Sequence, residues 1–368
     1  MIAESIELNR FRNYEDEKIE FDKKINIIYG NNAQGKTNIL EAVYIFSLGK
    51  SNRAYHDSDM IKFGCTDSNI KMNFISRDTE CSGEIKMFKN KRKQIFINEI
   101  PVKKSSELVG RFNVVYFGPE YLSLIKDGPK KRRKNTDILI SQLKTGYLSA
   151  ISEYKRVIEQ KNNLLKQDRI DEIFLSVLNE KVIDLSEYII KCRYEYIKKT
   201  ERISKKIQLD ISGGKENLDI GYISCGIKID DENIEGIKDV LREKSVKVFE
   251  KERYTRESIL GVHRDDIEFK INDADLKIFG SQGQQKTCIL VQKIAEVELF
   301  KEERGEYPVL LLDDIMSELD NIRQDYVLNK IENMQIFITC TDKERFKNLE
   351  KGKFIEIERG RVKNCTFI

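Results

Sequence analysis

Apolar residues recur along this chain with two periods, and the change from one to the other divides it. Ahead of about residue 120 the spacing is that of strands: Ile2 to Leu8, Ile25 to Tyr29, Ile70 to Ile75, Glu84 to Phe88 and Gln94 to Ile97. Residues 130–307 hold no proline, and within them Val182, Leu185, Tyr188, Ile189, Cys192 and Tyr196 fall at helical spacing. The middle third is therefore predicted to be mostly helical. A break is expected at Ser212-Gly213-Gly214, then a short strand carrying Ile220, Tyr222 and Cys225, then a helix over about 233–256. Strands return with Ile267, Phe269 and Ile271, with Val309 to Asp313 and with Gln335 to Thr339.

The run Ile25 to Tyr29 opens onto Gly30-Asn31-Asn32-Ala33-Gln34-Gly35-Lys36-Thr37, and the stretch from Asn38 to Phe46 reads as a helix. Strand, glycine loop and helix in that order make a phosphate loop, where backbone N–H groups and a helix N-terminus cradle phosphates. Lys36 adds a point charge, Thr37 offers its hydroxyl to Mg2+, and Asn38 is counted with the ATP-binding set. The apolar run Val309 to Leu312 ends in Asp313 and Asp314, as a central parallel strand does when it delivers a carboxylate to the edge of its sheet. Asp313 is assigned to Mg2+, directly or through water, and Asp314 to polarising an attacking water. Loop and aspartate strand must share one sheet. Residues 1–125 and 257–368 are thus expected to form one α/β ATPase lobe, with a mainly helical lobe over 126–256 inserted between them.

Ser281-Gln282-Gly283-Gln284-Gln285 opens a helical stretch containing Ile289, Leu290, Ile294 and Val297. Its hydroxyl and amides crown a positive helix end, which can grip a phosphate. Since Lys36 already takes one side of a triphosphate, a second such end is most simply directed at the nucleotide of a partner chain. Two chains would then enclose two nucleotides. Taken alone, the segment reads equally as a turn rich in glycine and glutamine.

Charge matters locally, because a formal net charge of +3 does not by itself imply a polyanion partner. Lys130-Lys131-Arg132-Arg133-Lys134 follows a Gly128-Pro129 turn, and Lys91-Arg92-Lys93 lies in an expected hairpin loop. Each run can neutralise DNA phosphates or simply form a solvated face. Neither has interleaved aromatics, so stacking on single-stranded bases is not signalled. Arg53 can reach a phosphate or form a surface ion pair, and His263 is read as a structural hydrogen-bonder rather than a catalytic base. Seven cysteines without a C-x-x-C pair, and only two histidines, speak against zinc. The start of the chain has no signal-peptide pattern and no apolar run reaches membrane-spanning length, so a cytoplasmic protein away from membranes is expected.

Together these segments resemble the RecF family of recombination mediators, ABC-type ATPases related to SMC proteins. The resemblance is carried by Leu8-Asn-Arg-Phe-Arg-Asn-Tyr14, the phosphate loop with Asn38 to Tyr44, Asp127 to Arg133, Gly261-Val-His-Arg-Asp-Asp266, Gly280 to Thr287 and Leu310 to Asp320. Gln284-Gln285 and the Asp313-Asp314 pair, in place of Asp-Glu, are its most specific marks. It implies an ABC-type P-loop ATPase lobe, a mixed sheet with flanking helices, carrying an inserted helical lobe. It implies further that an ATP-dependent homodimer closes on double-stranded DNA at gaps and acts with RecR and RecO to load RecA, in repair, replication restart and the SOS response. Hydrolysis should be slow, since an aspartate replaces the usual glutamate and Ile338-Thr339-Cys340-Thr341 lacks a switch histidine. The alternatives are another SMC-related ATPase with a different role on DNA and, further off, a transporter ATPase subunit.

Overall fold

The structure, a computed structural model, describes residues 1–330, 334–346 and 351–367. Two compact units divide the chain, Met1–Leu122 with Glu296–Ile368, and Ser123–Ala295.

A six-stranded mixed sheet in the first unit carries the nucleotide motifs. Its order is Arg361–Phe367, Lys353–Glu358, Ile25–Tyr29, Ile336–Cys340, Val309–Asp313 and Val114–Phe117. All neighbours are parallel except the pair Lys353–Glu358 and Arg361–Phe367. Register sets Ile28 beside Thr339 and Thr339 beside Asp313, so the C-terminal ends of three parallel strands share one edge. The helix Lys36–Leu48 is buried on nearly every face, from Ile39 and Leu40 to Phe46. A helix buried all round needs a layer on either side. The second layer is an antiparallel sheet in the order Asp16–Glu20, Ile2–Asn9, Asp67–Ser76, Thr79–Phe88, Gln94–Ile97 and Ile100–Pro101. Close approach is required at Gly83, where a Cβ would lie 2.6 Å from Cε1 of Phe46.

The second unit holds the helices Pro129–Leu143, Tyr147–Leu165, Glu172–Ile211 and Ile237–Thr255. The 40-residue helix ends where the glycine pair predicts: Gly213 and Gly214 take φ of 61° and 79°, and the Gly214 N–H donates to the Leu209 carbonyl at 2.8 Å. That bond closes a helix C-terminus which only glycine accommodates without strain. A four-stranded antiparallel sheet runs Ile227–Ile229, Leu218–Ser224, Asp266–Ile271, Ala274–Asp275. Asp266–Ile271 pairs with Leu218–Ser224 along its length, which groups residues 257–295 with the helical unit. The sequence expectation grouped that stretch with the ATPase lobe, because periodicity reveals a strand but not the sheet it joins. The boundary instead falls inside the helix Gln282–Arg304.

Candidate nucleotide site

Both loop glycines are required by space. Gly30 has φ 147° and its Cβ would lie 2.4 Å from the Ile357 carbonyl oxygen, whereas at Gly35, with φ 116°, a Cβ would meet Asn13 and the Tyr14 hydroxyl at 2.7 to 2.9 Å. The Lys36 ammonium lies across the loop, donating to the Gly30 and Asn31 carbonyls at 2.8 and 3.0 Å, and the residue is only 4% exposed. Asn31, Asn32 and Ala33 form the exposed face of the loop. Its other face is held from behind. Asn13 donates to the Gln34 carbonyl at 2.8 Å, the Tyr14 hydroxyl to the Gly35 carbonyl at 3.0 Å, and the Arg359 N–H to Oε1 of Gln34 at 2.6 Å. Asn38 donates to Asn13 at 2.9 Å. The segment Leu8 to Tyr14, which carried only resemblance, thus acquires a physical role, fixing the loop that would hold a triphosphate.

Asp313 is the meeting point of three hydroxyls. Thr37 and Thr339 donate to its Oδ1 at 2.9 and 2.7 Å, and Tyr116 donates to its Oδ2 at 2.9 Å. Burial, followed by the Asp313 charge, pushes the Tyr116 phenol far above its ordinary range, so it remains a donor. Thr37 Oγ1 and the Asp313 carboxylate place hard oxygens together beside the loop. Mg2+ needs one or two such protein ligands when phosphates and water complete its shell. Among the described residues no group of three or more His, Cys, Asp or Glu is placed to hold a metal alone, and a site of this kind does not require one. Asp314 follows with left-handed backbone, φ 50°, and its N–H donates to Thr339 at 2.8 Å. Burial raises the Asp314 carboxyl above its ordinary value; Lys36 opposes this and the Asp313 charge adds to it. A raised carboxyl is a better proton acceptor near neutral pH than an ordinary one. Burial, with the Asp314 charge next, holds the neighbouring Cys340 thiol up to about 12, un-ionised at neutral pH. Sequence reasoning missed Tyr116 and the structural role of Thr339, since nothing local ties either to Asp313.

In the second unit, Ser281 and Gln284 cap each other. The Gln284 N–H donates to Ser281 Oγ at 3.1 Å and the Ser281 N–H to Gln284 Oε1 at 2.9 Å, a reciprocal cap at the start of the helix Gln282–Arg304. Gln284 also donates to Glu216 at 2.9 Å. Gln285, 4% exposed, donates to the Leu276 and Gly280 carbonyls at 2.9 and 3.3 Å. Its amide is engaged with its own chain, which corrects the expectation that all five residues of the segment face a nucleotide. Ser281, Gln282 and Gly283 are exposed, and the Ser281 hydroxyl, an acceptor in the cap, still has a proton to donate.

The basic runs divide in the same way. Arg132, 3% exposed, forks onto Asp266 at 2.7 and 3.0 Å and donates to the Leu124, Ile125 and Asp127 carbonyls at 2.9, 3.0 and 2.6 Å. Arg133 donates to the Asp265 carbonyl. The helix Pro129–Leu143 turns Arg132 inward as an internal tie, which corrects its expected place on a DNA-facing run; Arg133 is half-buried, and Lys130, Lys131 and Lys134 are exposed. Lys93 is likewise engaged, with the Gly49 carbonyl at 2.6 Å and Asp57 at 2.8 Å, while Lys91 and Arg92 are exposed. Arg53 donates to Asn38 at 3.1 Å and stands 3.7 Å from Glu41. The His263 ring lies between the Tyr154 hydroxyl at 2.7 Å and the Ser258 carbonyl at 3.1 Å, and burial lowers its pKa. It is the neutral structural hydrogen-bonder expected. No helix among the described residues is long and apolar enough to cross a membrane.

Comparison with known proteins agrees with this geometry. The family model described as RecF/RecN/SMC N terminal domain matches residues 2–364. The DNA replication and repair protein RecF of Acetivibrio thermocellus is 42% identical over 369 residues, 98% of this chain and 100% of that protein. The RecF of Clostridium acetobutylicum is 39% identical over 370 residues, 98% and 99% of the two chains. A structure of the recombination mediator protein RecF with ATP, in the RecFOR pathway, superposes with a TM-score of 0.90 at 34% identity, covering 100% of this chain and 97% of that one. An Smc head domain from Pyrococcus furiosus shares the fold at a TM-score of 0.57 and 18% identity, covering 100% and 96%. The chain belongs to the RecF/RecN/SMC family and, within it, to the RecF group of DNA replication and repair proteins.

Proposed function

We propose that this chain is a DNA-binding protein of recombinational repair whose association is switched by ATP. The observation that carries this reading is the convergence of Lys36, Thr37 and Asp313 on one loop, with Thr37 Oγ1 2.9 Å from Asp313 Oδ1. Gly30 to Thr37, with Asn38, hold the phosphates, while Thr37 and Asp313 hold Mg2+, which when bound would neutralise phosphate charge. Ser281, Gln282 and Gly283 present a helix start to the nucleotide of a second copy. Asp314 orients and accepts a proton from the attacking water; an aspartate in place of the usual glutamate, and no switch histidine in Ile338 to Thr341, keep hydrolysis slow, so ATP serves as a timer. The closed dimer sits on double-stranded DNA at gaps, with Lys130, Lys131, Lys134, Lys91 and Arg92 as the remaining phosphate contacts. Cooperation with RecR, RecO and RecA follows from the family resemblance, as does a cytoplasmic setting. Light scattering with ATP and Mg2+ tests the scheme: the wild type should become a dimer, and Lys36→Ala and Ser281→Arg should each remain monomeric. A dimer of either variant would overturn it.

A further inference from the structure

One carboxylate joins the end of the helix Glu172–Ile211 to the start of the helix Gln282–Arg304. Glu216 lies just past the glycine stop at Gly213 and Gly214, and each of its oxygens takes a different glutamine. Oε2 accepts from Gln208, in the last turn of the first helix, at 2.6 Å, and Oε1 accepts from Gln284, in the first turn of the second, at 2.9 Å. The segment around it is clasped. The Glu216 N–H donates to the Ser212 hydroxyl at 3.1 Å, and Asn272 holds the residues on either side, donating to the Lys215 carbonyl at 3.1 Å and accepting from the Asn217 N–H at 2.8 Å. The Asn272 N–H adds a bond to the Asn217 carbonyl at 3.0 Å. Gln208 is fully buried, so the carboxylate is anchored in the interior on one side and reaches the exposed Ser281 helix start on the other.

The bond to Gln284 does more than add a contact. Gln284 accepts the Ser281 N–H through Oε1 and donates to Glu216 through Nε2, so the charge pulls on the same amide that closes the cap. A carboxylate makes the stronger kind of acceptor, and an amide polarised by it offers a better oxygen in turn. Without that anchor a half-buried glutamine regains its rotamer freedom and yields the Ser281 N–H to water. The Ser281 hydroxyl, which accepts from the Gln284 N–H at 3.1 Å, then loses its direction along with the backbone that carries it. Direction is what a helix start needs to meet a phosphate, because donors that already point at the anion pay no ordering cost when it arrives.

We propose that Glu216 is a positioning residue for nucleotide-driven association: it holds Gln284, and through it the Ser281 helix start, in the orientation that meets the nucleotide of a second copy, and it ties that orientation to the end of the helix Glu172–Ile211. The proposal rests on the shared-nucleotide reading above and adds the residue that sets one half of the shared site. Local spacing does not mark it, because Gln208, Glu216 and Gln284 belong to three segments that meet only in the fold.

The test uses the full chain with ATP and Mg2+. Sedimentation velocity over a concentration series reads the dimer dissociation constant, and a fluorescent ATP analogue, used at protein concentrations below that constant, reads nucleotide binding by the single chain. Glu216→Ala should weaken the dimer about tenfold and leave nucleotide affinity unchanged, since the phosphate loop belongs to the other unit. Glu216→Gln keeps an oxygen for Gln208 but sets amide against amide at Gln284; it should act in the same direction, and it carries the test if the alanine variant does not fold. Gln284→Ala should weaken the dimer at least as much, and adding Glu216→Ala to it should bring no further loss, because the two residues act along one line. A general loosening of the fold would instead make the losses add. A wild-type dimer constant in the folded Glu216 variant, or additive losses in the double variant, overturns the proposal and leaves the shared-nucleotide reading standing. If the wild type forms no dimer with ATP, both fail.

Discussion

Tyr116 holds Oδ2 of Asp313 while Thr37 and Thr339 hold Oδ1, so the plane of the carboxylate is set before any cation arrives. Removing the phenolic hydroxyl should loosen that plane without touching the loop. Tyr116→Phe is expected to leave metal-free binding of a fluorescent ATP analogue unchanged, yet to raise severalfold the Mg2+ concentration at which binding tightens. An unchanged Mg2+ midpoint would remove Tyr116 from the site. Asp314 carries a second prediction, whose sign follows from its raised pKa. The folded state favours the protonated carboxyl, so the stabilising contribution is complete below the ordinary aspartate value and is lost as pH rises through the folded-state pKa. Asp314→Asn should therefore raise the urea midpoint at pH 7 relative to the wild type and shrink that advantage toward pH 4. The same variant should bind ATP and slow single-turnover hydrolysis by about a hundredfold or more; hydrolysis at the wild-type rate would exclude Asp314 as the base.

At the scale of elements, the start of the helix Gln282–Arg304 shows how two neighbouring glutamines differ. Gln285 faces inward onto the Leu276 and Gly280 carbonyls, whereas Gln282 is exposed. Gln285→Ala removes the side-chain donor to the Gly280 carbonyl and one of two donors to the Leu276 carbonyl, which keeps the Gly280 N–H at 3.2 Å, and should cost about 1 kcal/mol in urea unfolding, while Gln282→Ala should cost almost nothing. Equal effects would show that the inward turn of Gln285 is wrong. Buried Arg193 ties the helix Glu172–Ile211 to Asp137 at 3.0 and 3.1 Å and to Asp265 at 2.7 Å. Arg193→Met takes the cation from both carboxylates, leaving Asp137 the Tyr147 hydroxyl and Asp265 the Tyr222 and Ser224 hydroxyls, and should destabilise by about 3 to 5 kcal/mol in the same assay. The sequence read the elements that bury one face or all of themselves, such as Ile25–Tyr29 and Glu172–Ile211. It missed Val114–Phe117 and Arg361–Phe367, the second an edge strand exposed along most of its length with no apolar face to betray it.

For the whole molecule, the phosphate loop and the Ser281 helix start belong to different compact units of one chain. If each serves a partner, two broken chains can repair one another. Lys36→Ala keeps its helix start and Ser281→Arg keeps its loop, so mixing them should restore one composite site and an ATP-dependent dimer by light scattering. Failure of the mixture to dimerise, with each variant folded, would argue that both elements act within one chain. The chemistry of Gly30 to Thr37, of Asp313 and of the Ser212-Gly213-Gly214 stop is legible along the chain because consecutive residues set the backbone that performs it. Packing between distant segments chose the rest: that Arg132 turns inward to Asp266, that Asp266–Ile271 joins the helical unit's sheet, and that Tyr116 reaches Asp313 across 197 positions. Helix phase and strand partnership are settled by which surfaces meet, and local spacing carries no record of that meeting.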